Sequence, residues 1–236
     1  MKKLNYLLIL SIFLFGIYSC KKKGCMDSNA ANYNSEAKKD DGSCVYTPVI
    51  TMNGDASMTI SVGLGYIDPG ATAANSDGSE VEVIADTSGV DDSVVGNFTV
   101  TYTATNAHGT STATRAIDVI INQDNWIGNS WNITDDCNDV NFPLNSNPEI
   151  ASGANDNQIL INDMFNVIGG TAICSIDGAA ITVPESVASL SIPVLGSVDV
   201  TYSGFGTMAN DGNTFEVTYV YNAIFGSGSC IATYSK

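Results

Sequence analysis

Positive charge almost vanishes from this chain after residue 39. Nine of its 236 residues are basic, and only Arg115 and Lys236 lie beyond Lys39, against all but two of the 25 acidic residues. A body this acidic repels nucleic acid and anionic surfaces, so no nucleic-acid partner is expected. Divalent cations, neutral sugars and basic protein patches remain compatible with it. Histidine is scarcer still: His108 stands alone, between Ala107 and Gly109 in a predicted turn. A base–nucleophile relay would need a neighbouring Ser or Cys and an orienting carboxylate. No CxxC and no grouping of Cys with His occurs, which argues against zinc and thiol redox chemistry. No glycine-rich loop follows a strand and opens a helix, so a phosphate cradle is lacking. Glycosidase chemistry needs only two carboxylates, but the close pairs Asp91-Asp92 and Asp135-Asp136 sit in turn-like contexts where solvated charge is the default. The expectation is a non-catalytic protein without a cofactor, calcium being the one ion kept open.

What is present begins at the N-terminus. Lys2 and Lys3 precede an apolar run from Leu7 to Ile17, and Ser19 stands directly before Cys20. A basic start, an apolar stretch too short to span and a small residue at a cut site make residues 1–19 a signal peptide. An uncut N-terminal membrane anchor is the alternative. The Ile17-Tyr18-Ser19-Cys20 end resembles the lipobox of bacterial lipoproteins. That resemblance implies cleavage before Cys20, acylation of Cys20 and attachment to a membrane through the lipid. Lipoproteins without Asp after that cysteine imply the outer membrane, at the cell surface or its periplasmic face. Lys21-Lys22-Lys23 then falls beside the anchor, where it could lie against anionic headgroups.

Six cysteines in an exported chain read as one lipid site plus disulfides. Cys25 and Cys44 bracket a small polar loop and are read as one pair. Cys137 and Cys230 lie near the two ends of the last domain, where the first and last strands of a closed sheet meet, and are read as the second. Cys174 remains as a buried thiol in the run Ile173-Cys174-Ser175-Ile176. Its pairing with Cys137 or Cys230 is the alternative.

Residues 20–47 are read as a lipidated tether with a disulfide loop. The segment GCMDSNAANYNSEAKKDDGSCVY, Gly24 to Tyr46, has almost no apolar core and needs a disulfide or an ion to hold shape. Asp27, Asn29, Asn34, Asp40 and Asp41 are hard oxygen donors that could gather around calcium, although Asp-Gly turns use the same residues. The pattern resembles a cysteine-bracketed repeat common in exported proteins of marine Bacteroidetes, which implies lineage and export without implying an activity.

Residues 48–122 alternate or are β-branched in short stretches, such as Met58-Thr59-Ile60-Ser61-Val62 and Phe98-Thr99-Val100-Thr101-Tyr102-Thr103, with Gly/Asp/Pro turns between them. About seven strands over this length predict an Ig-like sandwich. Gly54, Tyr66-Ile67-Asp68-Pro69-Gly70-Ala71 and Gly96-Asn97-Phe98-Thr99-Val100-Thr101-Tyr102 resemble the bacterial Ig-like domains of the pesticidal-crystal-protein and hyalin-repeat type. Members of that group are mostly spacers or adhesion modules. Their Asp-rich stretch is thinned here to Ala74-Asn75-Ser76-Asp77-Gly78.

Gln123-Asp124-Asn125 reads as a polar link into a last domain, residues 123–236. Sequential hairpin signals, Asp177-Gly178 and Asn210-Asp211-Gly212-Asn213 among them, predict an antiparallel meander forming a barrel or sandwich. Ile127-Gly128-Asn129-Ser130-Trp131, Asn157 to Asn162, Ile192-Pro193, Gly204-Phe205-Gly206-Thr207 and the closing Cys230 strand resemble C-terminal domains of many Bacteroidetes lipoproteins. Trp126, Trp131, Tyr202, Phe205, Tyr219 and Tyr221 could stack on a sugar or line a pocket. Most are expected in the core, with Trp126, beside the polar link, the most exposed; Trp126 and Trp131 are the candidate ligand contacts. The fold class is thus all-β. The leading functional expectation is an Ig-like spacer presenting a glycan- or protein-binding domain. The alternatives are a small-molecule carrier with a barrel cavity and a structural envelope protein.

Overall fold

The structure, a computed structural model, describes residues 21–129, 131–137, 144–166, 169–192, 196–224 and 226–236. Cys20 and the leader before it lie outside these. The described chain is nearly all-β and falls into two compact units. One comprises the chain up to Asn53 with Gly70–Ala85 and Tyr102–Ala113, the other Gly54–Pro69, Asp86–Thr101 and Thr114–Lys236.

Seven strands form the Ig-like part: β1 (Val49–Met52), β2 (Ser57–Ser61), β3 (Ala71–Ala74), β4 (Glu80–Val81), β5 (Val83–Asp86), β6 (Gly96–Asn106) and β7 (Gly109–Ile120). They make a three-stranded sheet, β1-β3-β4, and a four-stranded sheet, β2-β7-β6-β5. β2 runs parallel to β7, with Ser57 opposite Ala116 and Ser61 opposite Ile120. Alternation sends Val100, Tyr102 and Ala104 of β6, and Arg115, Ile117 and Val119 of β7, to buried positions.

Gln123-Asp124-Asn125 is not a slack link but a single helical turn, α1 (Gln123–Trp126). Asn122 caps it reciprocally: its side chain accepts from Asp124 N–H, and Asn125 Oδ1 accepts from Asn122 N–H. Asn125 is buried and donates to the Val62 carbonyl at 2.9 Å. Polar residues here are fixed points rather than solvated spacer.

The rest of the second unit is an eight-stranded antiparallel sheet. Its strands are β8 (Asn132–Asp135), β9 (Glu149–Ser152), β10 (Gln158–Asn162), β11 (Ala172–Asp177), β12 (Ala180–Ile192), β13 (Gly196–Met208), β14 (Thr214–Ala223) and β15 (Gly226–Ser235). The order β8-β15-β14-β13-β12-β11-β10-β9 is a meander whose first strand returns beside its last. The outer edges approach each other as well. Gly128 and Ile150 exchange backbone hydrogen bonds of 2.8 and 3.0 Å, and Ile133 N–H donates to the Ser146 carbonyl. The sheet therefore curls into a half-barrel. Cys137 and Cys230 are joined across the β8–β15 meeting, and Cys25 is joined to Cys44.

Aromatic side chains pack together on the inner side of that curl. Phe215 stacks on Tyr234 with centroids 4.2 Å apart and receives Trp126 and Trp131 at 5.0 and 4.8 Å. Tyr219 and Tyr234 share a 2.6 Å hydroxyl contact in the same core. Cys174 is buried beside them, a free thiol. Burial alone pushes it up to about 12. With Cys20 acylated or replaced by serine, Ellman's reagent at pH 8 should find no thiol in the native protein and one after unfolding.

Candidate binding face

Both tryptophans chosen from the sequence are core residues, and Trp126 is wholly buried instead of exposed. Burial is tolerated because each indole N–H has a carbonyl. Trp126 Nε1 donates to Gly178 O at 3.1 Å and Trp131 Nε1 to Trp126 O at 2.8 Å. The Lys236 ammonium adds a cation–π contact to Trp131 at 4.8 Å. Neither ring is open to solvent.

Among the described residues of this sheet the exposed aromatic is Phe205, 62% accessible and three residues before the end of β13. Its orientation follows from its neighbours. Gly204 and Gly206 take the inward positions, where a side chain has no room. A Cβ on Gly204 would lie 3.0 Å from Tyr219 and Val217, and one on Gly206 would lie 1.9 Å from the Glu216 carbonyl oxygen. The strand's alternation therefore sends the ring out.

Register then assembles a face around it. Phe205 stands opposite Thr182 of β12 and Thr218 of β14, and Thr218 stands opposite Ile231 of β15. Val220 is diagonal to Phe205, opposite Ser203 and Ser229. Phe205, Val220 and Ile231 are all exposed. An apolar strip thus crosses three strands, bordered by the hydroxyls of Thr182, Ser203, Thr218 and Ser229. Beside it lies a hollow of about 310 Å³ lined by Glu185, Thr201, Ser203, Val220, Asn222 and Ser227, among others. An exposed ring with hydroxyls beside it and an amide and a carboxylate three to four residues along the neighbouring strands can stack on a sugar ring and hydrogen-bond its hydroxyls, or seat an apolar side chain of a protein.

Four of the five proposed calcium donors accept hydrogen bonds within the module. Asp27 accepts from Asn29 N–H and the Tyr46 hydroxyl, Asn34 from Glu36 N–H, Asp40 from Gly42 N–H, and Asp41 from Ser43. Each caps its own turn. The potential ligand group that does converge, among the described residues, is Asp136 with Cys137 and Cys230, whose sulfurs are joined in the disulfide. The acidic pairs are likewise occupied by backbone. Asp92 receives Tyr66 N–H, Asp135 receives Cys137 N–H and Asp136 receives Ile231 N–H. His108 lies exposed in the β6–β7 turn.

Asp41, Asp77, Asp86 and Asp91 share one device, a serine two residues on whose hydroxyl and N–H both donate to the carboxylate. The hydroxyl bond chiefly, then the backbone bond, holds each carboxyl below the ordinary 3.8. A carboxyl lowered in the folded state stabilises fully above its unfolded value, and the gain is lost as pH falls through the folded value. Thermal midpoints should be level from about pH 7 to 5 and decline once pH passes below 3.8.

Residues 50–119 match the family model for the bacterial surface protein, Ig-like domain. No curated protein matches the chain. Among solved structures, a lipoprotein from Bacteroides thetaiotaomicron aligns over 80% of this chain and 100% of its own, at 12% identity and TM-score 0.27. The CBM51-2 and INT domains of ZmpB from Clostridium perfringens align over 79% of this chain at 14% identity and TM-score 0.23. The alignment spans 43% of that second chain. At such scores neither likeness bears on the reading of the face.

Proposed function

We propose that this chain is a non-catalytic envelope lipoprotein, anchored through Cys20 in the outer membrane, in which an Ig-like domain carries a β-domain that binds a glycan or protein. The observation that carries the reading is the Phe205 strip, an apolar face with polar borders on the outer side of a sheet whose inner side holds the aromatic core. A packed core has no need of an exposed aromatic at mid-sheet. The match of residues 50–119 to a bacterial surface Ig-like model fits a spacer at the cell surface, and the lipobox-like Ile17 to Cys20 fits the anchor.

The test is electrophoresis of the chain through gels containing a panel of polysaccharides, with immobilised surface-protein extracts as a second arm. The wild type should be retarded by one polymer family or retained by one extract. Phe205→Ala should weaken that binding about tenfold or more, as expected for a central aromatic contact, while leaving the melting temperature nearly unchanged. Retention that survives both Phe205→Ala and Ile231→Ser would place binding elsewhere.

A further inference from the structure

Folding of the cysteine-bracketed module brings two lysine runs side by side. The Lys22 carbonyl accepts from Lys38 N–H at 2.8 Å, the Lys39 carbonyl accepts from Gly24 N–H at 3.2 Å, and Lys23 and Lys39 form a parallel bridge. The Cys25–Cys44 disulfide and the buried Ala30 and Ala37 hold the loop between them closed. Lys21, Lys22, Lys23, Lys38 and Lys39 are all exposed. Glu36 pairs with Lys22, and Asp40 and Asp41 follow Lys39, so the patch is modestly basic in itself. Its contrast with the remainder is large. Five of the seven basic residues after Cys20 belong to it, while 21 of the 25 acidic residues lie beyond Asp41.

The backbone is already fixed at Lys22, two residues after the proposed lipid site. Two extended residues span about 7 Å, so an acyl chain on Cys20 would hold this patch within a Debye length of the headgroups. We propose that the module is a basic foot, in which Lys21–Lys23 and the folded-in Lys38 and Lys39 rest on anionic lipid headgroups around the Cys20 anchor. The acidic remainder is repelled from the same surface. The inference rests on the lipoprotein reading. It goes beyond it in assigning Lys38 and Lys39, distant in sequence from the anchor, to the membrane contact.

The experiment takes the full chain, matured in a bacterial host and reconstituted into vesicles of phosphatidylcholine alone or with one-third phosphatidylglycerol. Lysine labelling by an amine-reactive ester is followed by peptide mass spectrometry. Lys38 and Lys39 should label about threefold more slowly on the anionic vesicles, and high salt should abolish the difference. Lys236 should label equally on both. Equal labelling of Lys38 and Lys39 on both vesicles, with Cys20 acylated in the same digest, would overturn the foot and leave the anchor standing. A Cys20 peptide without acyl chains would overturn both.

Discussion

Asp68→Ala is expected to lower the unfolding free energy by about 3–5 kcal/mol, a large share of what an ordinary domain possesses. Arg115 is wholly buried, and its guanidinium makes a 2.8 Å ion pair with Asp68 Oδ1. Its Nε donates to the Asp55 carbonyl at 3.0 Å, and the Tyr66 hydroxyl donates to the same Asp68 oxygen. Removing the carboxylate takes away the ion-pair partner of a wholly buried guanidinium. Replacing the pair together, Asp68→Leu with Arg115→Met, should recover most of the loss, because the penalty lies in a buried charge that has lost its counter-charge and not in the missing bridge. Urea titration checks both. An Asp68→Ala variant within 1 kcal/mol of wild type would contradict the account.

Gly206→Ala is expected to cost about 3 kcal/mol or more. The added methyl would sit 1.9 Å from the Glu216 carbonyl oxygen and 3.0 Å from Val217 Cα, so every obstructing atom is backbone and none can rotate away. β13 and β14 would have to part where Gly206 faces Val217. The denaturation midpoint should fall, and amide exchange should quicken first along these two strands. Phe205→Ala, one residue away on the outer face, should change stability by less than about 0.5 kcal/mol. Folding and binding are thus separable at adjacent positions.

Much of the fold was legible because alternation and turn residues carry it. The Phe215, Val217, Tyr219 alternation of β14 and the glycine-containing turns give the meander, although the β11–β12 loop is Gly178-Ala179, one residue later than the Asp177-Gly178 signal. The meeting of β8 with β15 explains why Cys137 and Cys230 are neighbours. Three features were hidden. β9 is Glu-Ile-Ala-Ser, with one large apolar residue, and exists through its ladder to β10. β12 reads as two strands because Pro184 interrupts it, and the chain continues through a register shift between Val183 and Ser186. α1 looked like a linker because its residues are polar, yet their polarity is what fixes it.

The binding face was misread for a related reason. A large aromatic in a strand is ordinarily assigned inward and a polar-flanked Trp outward, and here both assignments reverse. Gly204-Phe205-Gly206-Thr207 carried the signal. Two glycines at alternate positions leave no inward room and put the ring between them outside. Trp126 went the other way because the Gly178 carbonyl met its N–H inside.

The most direct test of the central claim is hydroxyl-radical footprinting of the full chain with and without the polymer or protein that retards it. Phe205 is 62% exposed, and Met26 and Tyr33 of the cysteine module are 49% and 48% exposed, so all three oxidise readily in the free protein and serve as mutual controls. The account predicts that saturating partner suppresses oxidation of Phe205 severalfold and leaves Met26 and Tyr33 unchanged. Unchanged Phe205 with protection at Met26 or Tyr33 would contradict it and move the binding surface to the cysteine module.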